Sequence, residues 1–597
     1  MSKKLISLLL VFMLLFSFVL ASCSTDSTSG DDVEPGDTEE AELDMSNRTP
    51  YTLTLWLPSQ EGTTEEAVKE VEAAINKLLN SSYTTNIELR TFDEDKYAAA
   101  VLEKIDAIEQ KIRDDEAESS RRKEIEQSLR QEGIVTVGTT AAETEATEIA
   151  TETNEYGQSN KKYPDVGEYQ FDIFLITSYE MYRDLVDRDA LMSLETNLNG
   201  SSKLLKSYIY PAFLDAVKFD TGLTYAIPNN HGMGEYKFLL TNKELAEKYY
   251  FDPADLTGSI DNCKYFIETV ARYEDDPDVS PLLSWVDPVG MKYWSKDGSW
   301  SAIASIIGND ASFDSAGSIS NIFTMNEYKA HFKMMKQFEE DGLIAEDPEN
   351  CEKFAVGVVS ADCLETVEAM YGDEYDISIY EYPRATQEEL FTGAFAVSAA
   401  TKSLSRAMEV ITAINTQKEI RNLLQYGVEG VHYKLNDEGR VERIRDEKGN
   451  SAYNMNILHT GNTYIAYPEE GMDLKQWEHD KQRNLDTILT PFSYCYDSET
   501  GVGLYNENNA ANFEEVARLS ADMYDRLMKI KAEDVDEFFT AAAAELNENE
   551  KFKQMTGASW EYGIGAIYSK YYNAHFAVPD DEGGGDEGGG DDAGAEA

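Results

Sequence analysis

The chain is poor in cysteine, histidine and positive charge. Its 597 residues hold five cysteines, six histidines and 52 Lys and Arg against 112 Asp and Glu. So few cysteines over such a length exclude a disulfide-built scaffold. Beyond Cys23 there remain Cys263, Cys351, Cys363 and Cys495, an even number that permits bridges, with Cys351 and Cys363 the nearest pair. The same residues serve equally as small buried hydrophobes. The histidines, His231, His331, His432, His459, His479 and His575, lack zinc-type spacing, so no structural metal is expected. A net charge of −60 repels phosphate backbones and anionic lipid surfaces, which excludes nucleic acid as a partner. No Gly-x-Ser-x-Gly elbow, phosphate loop or His-Glu-x-x-His is present, and Gly563-Ile-Gly565 lacks a third glycine. With 112 acids, a carboxylate pair at glycosidase separation arises by chance and carries no information. The loops at Asp297 and at Asp446 to Asn450 each lack a full calcium ligand set. The sequence therefore implies no cofactor, no metal and no catalytic residue. No repeat of 20 to 50 residues is visible.

What is present is a large apolar fraction, 42% of the residues, with 35 tyrosines and six tryptophans, enough for at least two cores. The amino terminus opens with Lys3-Lys4, an apolar run from Leu5 to Leu20 and small residues up to Cys23, the pattern of a secretory signal. Leu20-Ala-Ser-Cys23 resembles a bacterial lipobox. That resemblance implies cleavage after residue 22, lipidation of Cys23 and anchoring on the outer face of the cell membrane, the two or more acyl chains meeting what stable anchoring needs. Residues 23–50, rich in Ser, Thr, Asp, Glu and Gly, read as a disordered tether.

Folded sequence begins at Tyr51-Thr-Leu-Thr-Leu-Trp-Leu57, a buried strand, followed by a helix capped at Thr63 or Thr64 with apolar positions from Ala67 to Leu79, then a strand at Ile87 to Thr91. Strand, helix, strand predicts a βαβ unit. A long helix runs from Glu94 to about Arg130, and the stretch from Ile112 to Lys162, charged and then Thr/Glu/Ala-rich, reads as an insertion. Further strands are predicted at 169–176, 223–229, 238–242, 375–382 and 394–399. Helices are predicted from Lys243, over most of 256–338, from Ser403 to Tyr426, and from Leu474, Asn512 and Asp534. Two turn signals between Val431 and Asn454 predict a β-meander. Pro579 to Ala597 is an acidic, Gly-rich disordered tail.

Several of these stretches, in their order and spacing, resemble the extracellular solute-binding proteins of bacterial ABC importers, in particular the large lipoproteins of the family 1, carbohydrate-type branch. They are Leu53-Thr-Leu-Trp56 with its helix, Phe171-Asp-Ile-Phe-Leu-Ile-Thr-Ser-Tyr179, Gly222-Leu-Thr-Tyr-Ala-Ile-Pro228, Leu240-Thr-Asn-Lys-Glu-Leu245, Gly393-Ala-Phe-Ala-Val-Ser-Ala-Ala-Thr-Lys-Ser403 and Tyr426-Gly-Val-Glu-Gly-Val-His-Tyr433. The resemblance spans most of Tyr51 to Phe576, apart from the insertion. It implies an α/β, two-lobe, periplasmic-binding-protein-like (type II) fold over 51–578, with a hinge between lobes that close on a ligand. It also implies a monomer that hands a sugar or oligosaccharide to the subunits of a membrane permease. A receptor for a peptide or polyamine is the alternative, which the negative charge would suit. A surface adhesin or degenerate glycoside hydrolase is the third reading.

A sugar presents an apolar ring face and a rim of hydroxyls, so stacking aromatics and polar side chains are the candidates. Core packing is the default for any one aromatic. Strand ends and loops single out Trp56 with Ser59 and Gln60, Tyr179 with Glu180, and Asn229, Asn230 and His231, because ligands sit at the C-terminal ends of parallel strands. Trp285, Trp294 and Trp300 lie among Gly, Asp and Ser, and Glu429 with Tyr433 lies in the glycine-flanked turn after a helix.

Overall fold

The structure is a computed structural model, and it describes residues 48–131, 169–219, 222–291, 300–304, 320–489, 496–497, 502–503, 508–557, 559–563 and 565–566. Cys23, the tether, the second half of the insertion, Trp294, Cys495 and the tail lie outside the described residues. The chain from Thr49 onward forms one unit.

The β-branched and aliphatic run after Thr49 forms β1 (Tyr51–Ser59), and Thr64 caps α1 (Glu65–Tyr83) by accepting from the Ala67 N–H. β2 (Thr85–Asp93) returns parallel to β1. α2 (Glu94–Gln131) buries Tyr97, Val101, Ile105, Ile108 and Ile112, while side chains 113–124 are all exposed. β3 (Ile173–Ile176) pairs parallel with β1 and is shorter than predicted. The reason is Asp172, whose buried carboxylate accepts from the Thr54 N–H at 2.9 Å and from the Thr401 hydroxyl at 2.6 Å, serving the neighbouring segments. The Tyr97 hydroxyl lies 3.1 Å from the carbonyls of both Trp56 and Leu175 and accepts from the Leu175 N–H, stitching α2 to two strands. α3 (Tyr179–Asp187), capped by Ser178, and the two-residue β4 (Ala226–Ile227) complete this part of the lobe.

The chain then crosses into a second sheet with β5 (Tyr236–Asn242), α4 (Lys264–Tyr273), β6 (Val279–Leu282), α5 (Asn326–Glu340), β7 (Lys353–Ala361), α6 (Leu364–Tyr371) and β8 (Tyr375–Glu381). Its order is β8-β5-β7-β6. β5 shows the alternation of a two-faced strand. Leu239 packs with Phe266, Ile267 and Met335 on one face, and Phe238 and Leu240 pack with Phe354 and Val367 on the other. The segment 256–338, expected to be chiefly helical, is instead helix, strand and loop.

The return crossing runs through α7 (Gln387–Phe391) to β9 (Ala394–Val397), which joins the first sheet antiparallel to β3 and gives the order β2-β1-β3-β9-β4. The predicted helix 403–426 is two helices, α8 (Leu404–Thr416) and α9 (Lys418–Tyr426), broken at an extended Gln417. The predicted meander is a single hairpin, Tyr433–Leu435 with Val441–Arg443. In the second turn the Asp446 carboxylate accepts from the N–H groups of Lys448 and Asn450. A third crossing follows α10 (Gln476–Asp486), where Ile488–Leu489 pairs with Arg384–Ala385. Helices α11 (Ala510–Leu527), α12 (Val535–Glu548) and α13 (Glu550–Thr556) pack their apolar faces into the main core. Among the described residues no helix is long and apolar enough to cross a membrane. Cys263, Cys351 and Cys363 are free thiols.

Candidate functional site

Three chain crossings meet beside a long irregular segment, residues 444–475, and there the surface opens into a polar cleft of about 930 Å³. From the first lobe come Gln60 and the run Asn454 to Leu458. The first crossing contributes His231 and Gly232, and α10 contributes Gln476, Trp477, Asp480 and Arg483. Arg443, Arg445, Glu469 and Glu470 line the remaining side.

The first wall has no regular structure of its own, so side chains must hold its backbone. The Gln60 N–H donates to Asn454 O at 3.0 Å, and the Thr63 hydroxyl does so at 2.9 Å. From α9, the fully buried Arg421 donates to Asn462 O and Ile457 O at 3.0 and 2.9 Å, and Gln425 donates to Met455 O at 2.8 Å. Burial pulls the Arg421 guanidinium down to about 10, so its carbonyl partners carry the compensation that the site demands. The Asn229 side chain holds Leu458 O at 2.7 Å, and Thr463 bonds Asn230 O through both its N–H and its hydroxyl.

On α10, Asn484 accepts from the Met233 N–H and donates to His231 O, fixing the crossing against the helix. Gln476 donates to Asp362 at the end of β7, and the Tyr236 hydroxyl donates to Asp486, so α10 is tied to the second lobe. Arg483 donates to Asp480 at 2.7 Å. Burial nevertheless pushes the Asp480 carboxyl up, the nearby guanidinium opposing it only in part. Burial likewise pushes the His231 imidazole down. Two buried nitrogens at this cleft have no hydrogen-bond partner among the described residues: His231 Nε2 and Arg483 Nε. Trp477 is half-buried, donates to Ala466 O at 3.3 Å and lies 6.4 Å from the Tyr464 ring.

Of the residues singled out from the sequence, the cleft takes Gln60 and His231, with Asn229 and Asn230 buried behind it as supports. The others lie elsewhere. Trp56 is 5% exposed, packed on Phe92 and Phe171 in the first core, and Ser59 is buried with its hydroxyl on Phe92 O. Tyr179 is buried against Phe391, and Glu180 points to solvent. Trp285 donates to Asp287 beside Phe332, and Trp300 is buried against Phe323 and Tyr524. Tyr433 packs on Tyr426, and Glu429 is exposed in its turn. Each aromatic met an apolar neighbour that sequence position does not reveal. The cleft aromatic, Trp477, went unmarked because it sits one residue inside a helix, away from any strand end. Its sequence signal was the run of polar residues around it, Lys475-Gln-Trp-Glu-His479.

A protein of Streptococcus pneumoniae named as a carbohydrate ABC transporter substrate-binding protein is 25% identical over 360 residues, which cover 56% of this chain and 69% of that protein. No protein-family model matches the chain. The crystal structure of an N-glycan transport solute binding protein from the same organism superposes with a TM-score of 0.51 at 15% identity, over 88% of this chain and 99% of that one. The chain has the two-lobe solute-binding-protein fold. The cleft of this chain lies where the crossing at His231 and Gly232 meets α10.

Proposed function

We propose that the chain is the extracellular receptor of an ABC importer and captures an oligosaccharide without turnover, in the cleft floored by His231 and flanked by Trp477. The observation that carries this reading is the pairing of a half-buried indole with two unpartnered buried nitrogens in one cleft: the ring suits a sugar face, and the nitrogens suit its hydroxyls. A volume of about 930 Å³ favours several sugar units over a monosaccharide. The cleft argues against a polyamine. Its lining sets Arg443, Arg445 and Arg483 against Glu469, Glu470 and Asp480, so the overall −60 is not focused there. The names of the streptococcal relative and of the matched structure, one a carbohydrate receptor and the other an N-glycan receptor, support the same class.

The receptor would be held at the outer face of the membrane through a lipid on Cys23, would act as a monomer and would deliver its ligand to permease subunits. Calorimetry with mannose-containing N-glycan fragments, malto-, xylo- and gluco-oligosaccharides, a tripeptide and spermidine tests the ligand class. Heat with one oligosaccharide group and none with peptide or polyamine is expected. Binding of spermidine or peptide alone would overturn the sugar assignment, and release of hydrolysed sugar would overturn the receptor.

A further inference from the structure

Behind the cleft, on the side of α10 away from Trp477, lies a cluster that the saccharide reading does not use. Cys363, the residue preceding α6, places its Sγ 3.3 Å from Nδ1 of His479 on α10. Glu365, in the first turn of α6, completes a group whose ligand atoms all lie within 4.8 Å of one another. Cys363 and His479 are 116 residues apart in sequence, so the fold itself brings a thiol, an imidazole and a carboxylate to one point.

We propose that Cys363, Glu365 and His479 bind a zinc-class divalent cation, with water as the fourth ligand. Thiolate, imidazole and carboxylate together are the donor set of borderline-soft metals, and calcium or magnesium would require oxygens throughout. Tetrahedral bonds of about 2.3 Å to sulfur and 2.0 Å to nitrogen separate those two atoms by roughly 3.5 Å, close to the spacing found. Cys363 is buried and His479 half-buried, which fixes two ligands, while the exposed Glu365, whose carboxylate now lies 4.0 Å from Nε2 of His479, would turn onto the ion. The thiol's other neighbour is the Thr366 hydroxyl at 3.2 Å, which gives its own proton to Asp362 Oδ1 at 2.7 Å. The metal would fasten α10 to α6 of the second lobe, adding to the Gln476–Asp362 bond, so that the cleft wall bearing Trp477 moves with that lobe.

The test uses the purified chain, stripped with a chelator and titrated with Zn²⁺ and with Co²⁺. The expected results are one equivalent bound, a melting temperature that rises with Zn²⁺, and a thiolate-to-cobalt charge-transfer band. Cys363→Ser and His479→Ala should each lose the band and weaken Zn²⁺ binding by more than about 100-fold, beyond the loss typical of outer-shell changes. Cys351→Ser should retain both. Melting in the absence of metal confirms that each variant is folded. A band that survives Cys363→Ser, or a melting temperature indifferent to Zn²⁺, would overturn the site. Sugar binding plays no part in either readout, so this result and the ligand assignment stand or fall separately.

Discussion

Replacing Trp477 with alanine removes the one tryptophan that lines the cleft among the described residues. The ring is held by its Nε1–H bond to Ala466 O and by Tyr464 beside it, so its position is set before ligand arrives. A sugar unit laid on an indole face buries on the order of 80 Å² of apolar surface counted over both partners. At about 25 cal/mol per Å² this is worth about 2 kcal/mol, or about 30-fold in affinity. Trp477→Ala should therefore bind its oligosaccharide about 30-fold more weakly by calorimetry. Trp477→Phe, which keeps a smaller face but loses the bond to Ala466, should fall by about 5-fold, corresponding to about 1 kcal/mol. The half-buried ring contributes little to the core, so melting should move by only a few degrees. An affinity within about twofold of the parent, in a variant that melts normally, would refute the placement of ligand against this ring.

Arg421→Met should destabilise the fold by about 3–5 kcal/mol in denaturant titration, because the Ile457 and Asn462 carbonyls would lose their buried donor. Gly232→Ala would set a Cβ 1.8 Å from Arg483 Nη2 and 2.6 Å from Asp480 Oδ1, so the cleft floor must rearrange. Oligosaccharide binding should weaken by about tenfold, or 1.4 kcal/mol, with a smaller change in melting. Burial depresses the imidazoles of His231, His432 and His459. The unfolded chain then takes up protons first as pH falls through 6.5, so stability is present above that pH and is lost below it. Thermal melts from pH 7.5 to 5 should show this fall, and Nε2 of His231 should remain unprotonated at pH 6.5 by NMR. Replacing residues 115–164 with a short Gly/Ser linker should leave melting unchanged. The buried face of α2 ends at Ile112 and side chains 113–124 are exposed, so the described part of the segment adds nothing to the core.

The first lobe was legible because its signals are local. Thr64 caps where a threonine before glutamates should, β1 is a largely apolar run, and β2 alternates apolar with polar residues. The second lobe was harder. β7 carries Gly357 and Ser360 in place of a clean alternation, and Gly357 is required there because a Cβ would lie 2.6 Å from the Phe354 ring. The break at Gln417 left no mark, since α8 and α9 carry helical periodicity up to it from both sides. At the site, the rule that ligands gather at strand ends led to Gln60 and to the turn at Asn229 to His231. It also led to Trp56 and Tyr179, whose positions are equally suited to closing a core. Trp477 depends on a helix whose place at the cleft is set in large part by contacts more than 100 residues away in sequence, such as Gln476 with Asp362. No local pattern encodes such a contact.

In the wall from Met455 to Asn462, the carbonyl oxygens of Met455, Ile457, Leu458 and Asn462 are each gripped by a side chain from α9 or from the first crossing. Thr460 and Asn462 add side-chain bonds to Gln425 and Asn415, but the side chains of Ile457 and Leu458 take no part. Substitutions at Ile457 and Leu458, which line the cleft, therefore leave in place the backbone path held by Arg421, Gln425 and Asn229. On the proposed reading, the cleft's preference among ligands can be retuned at these two positions at little cost to the fold.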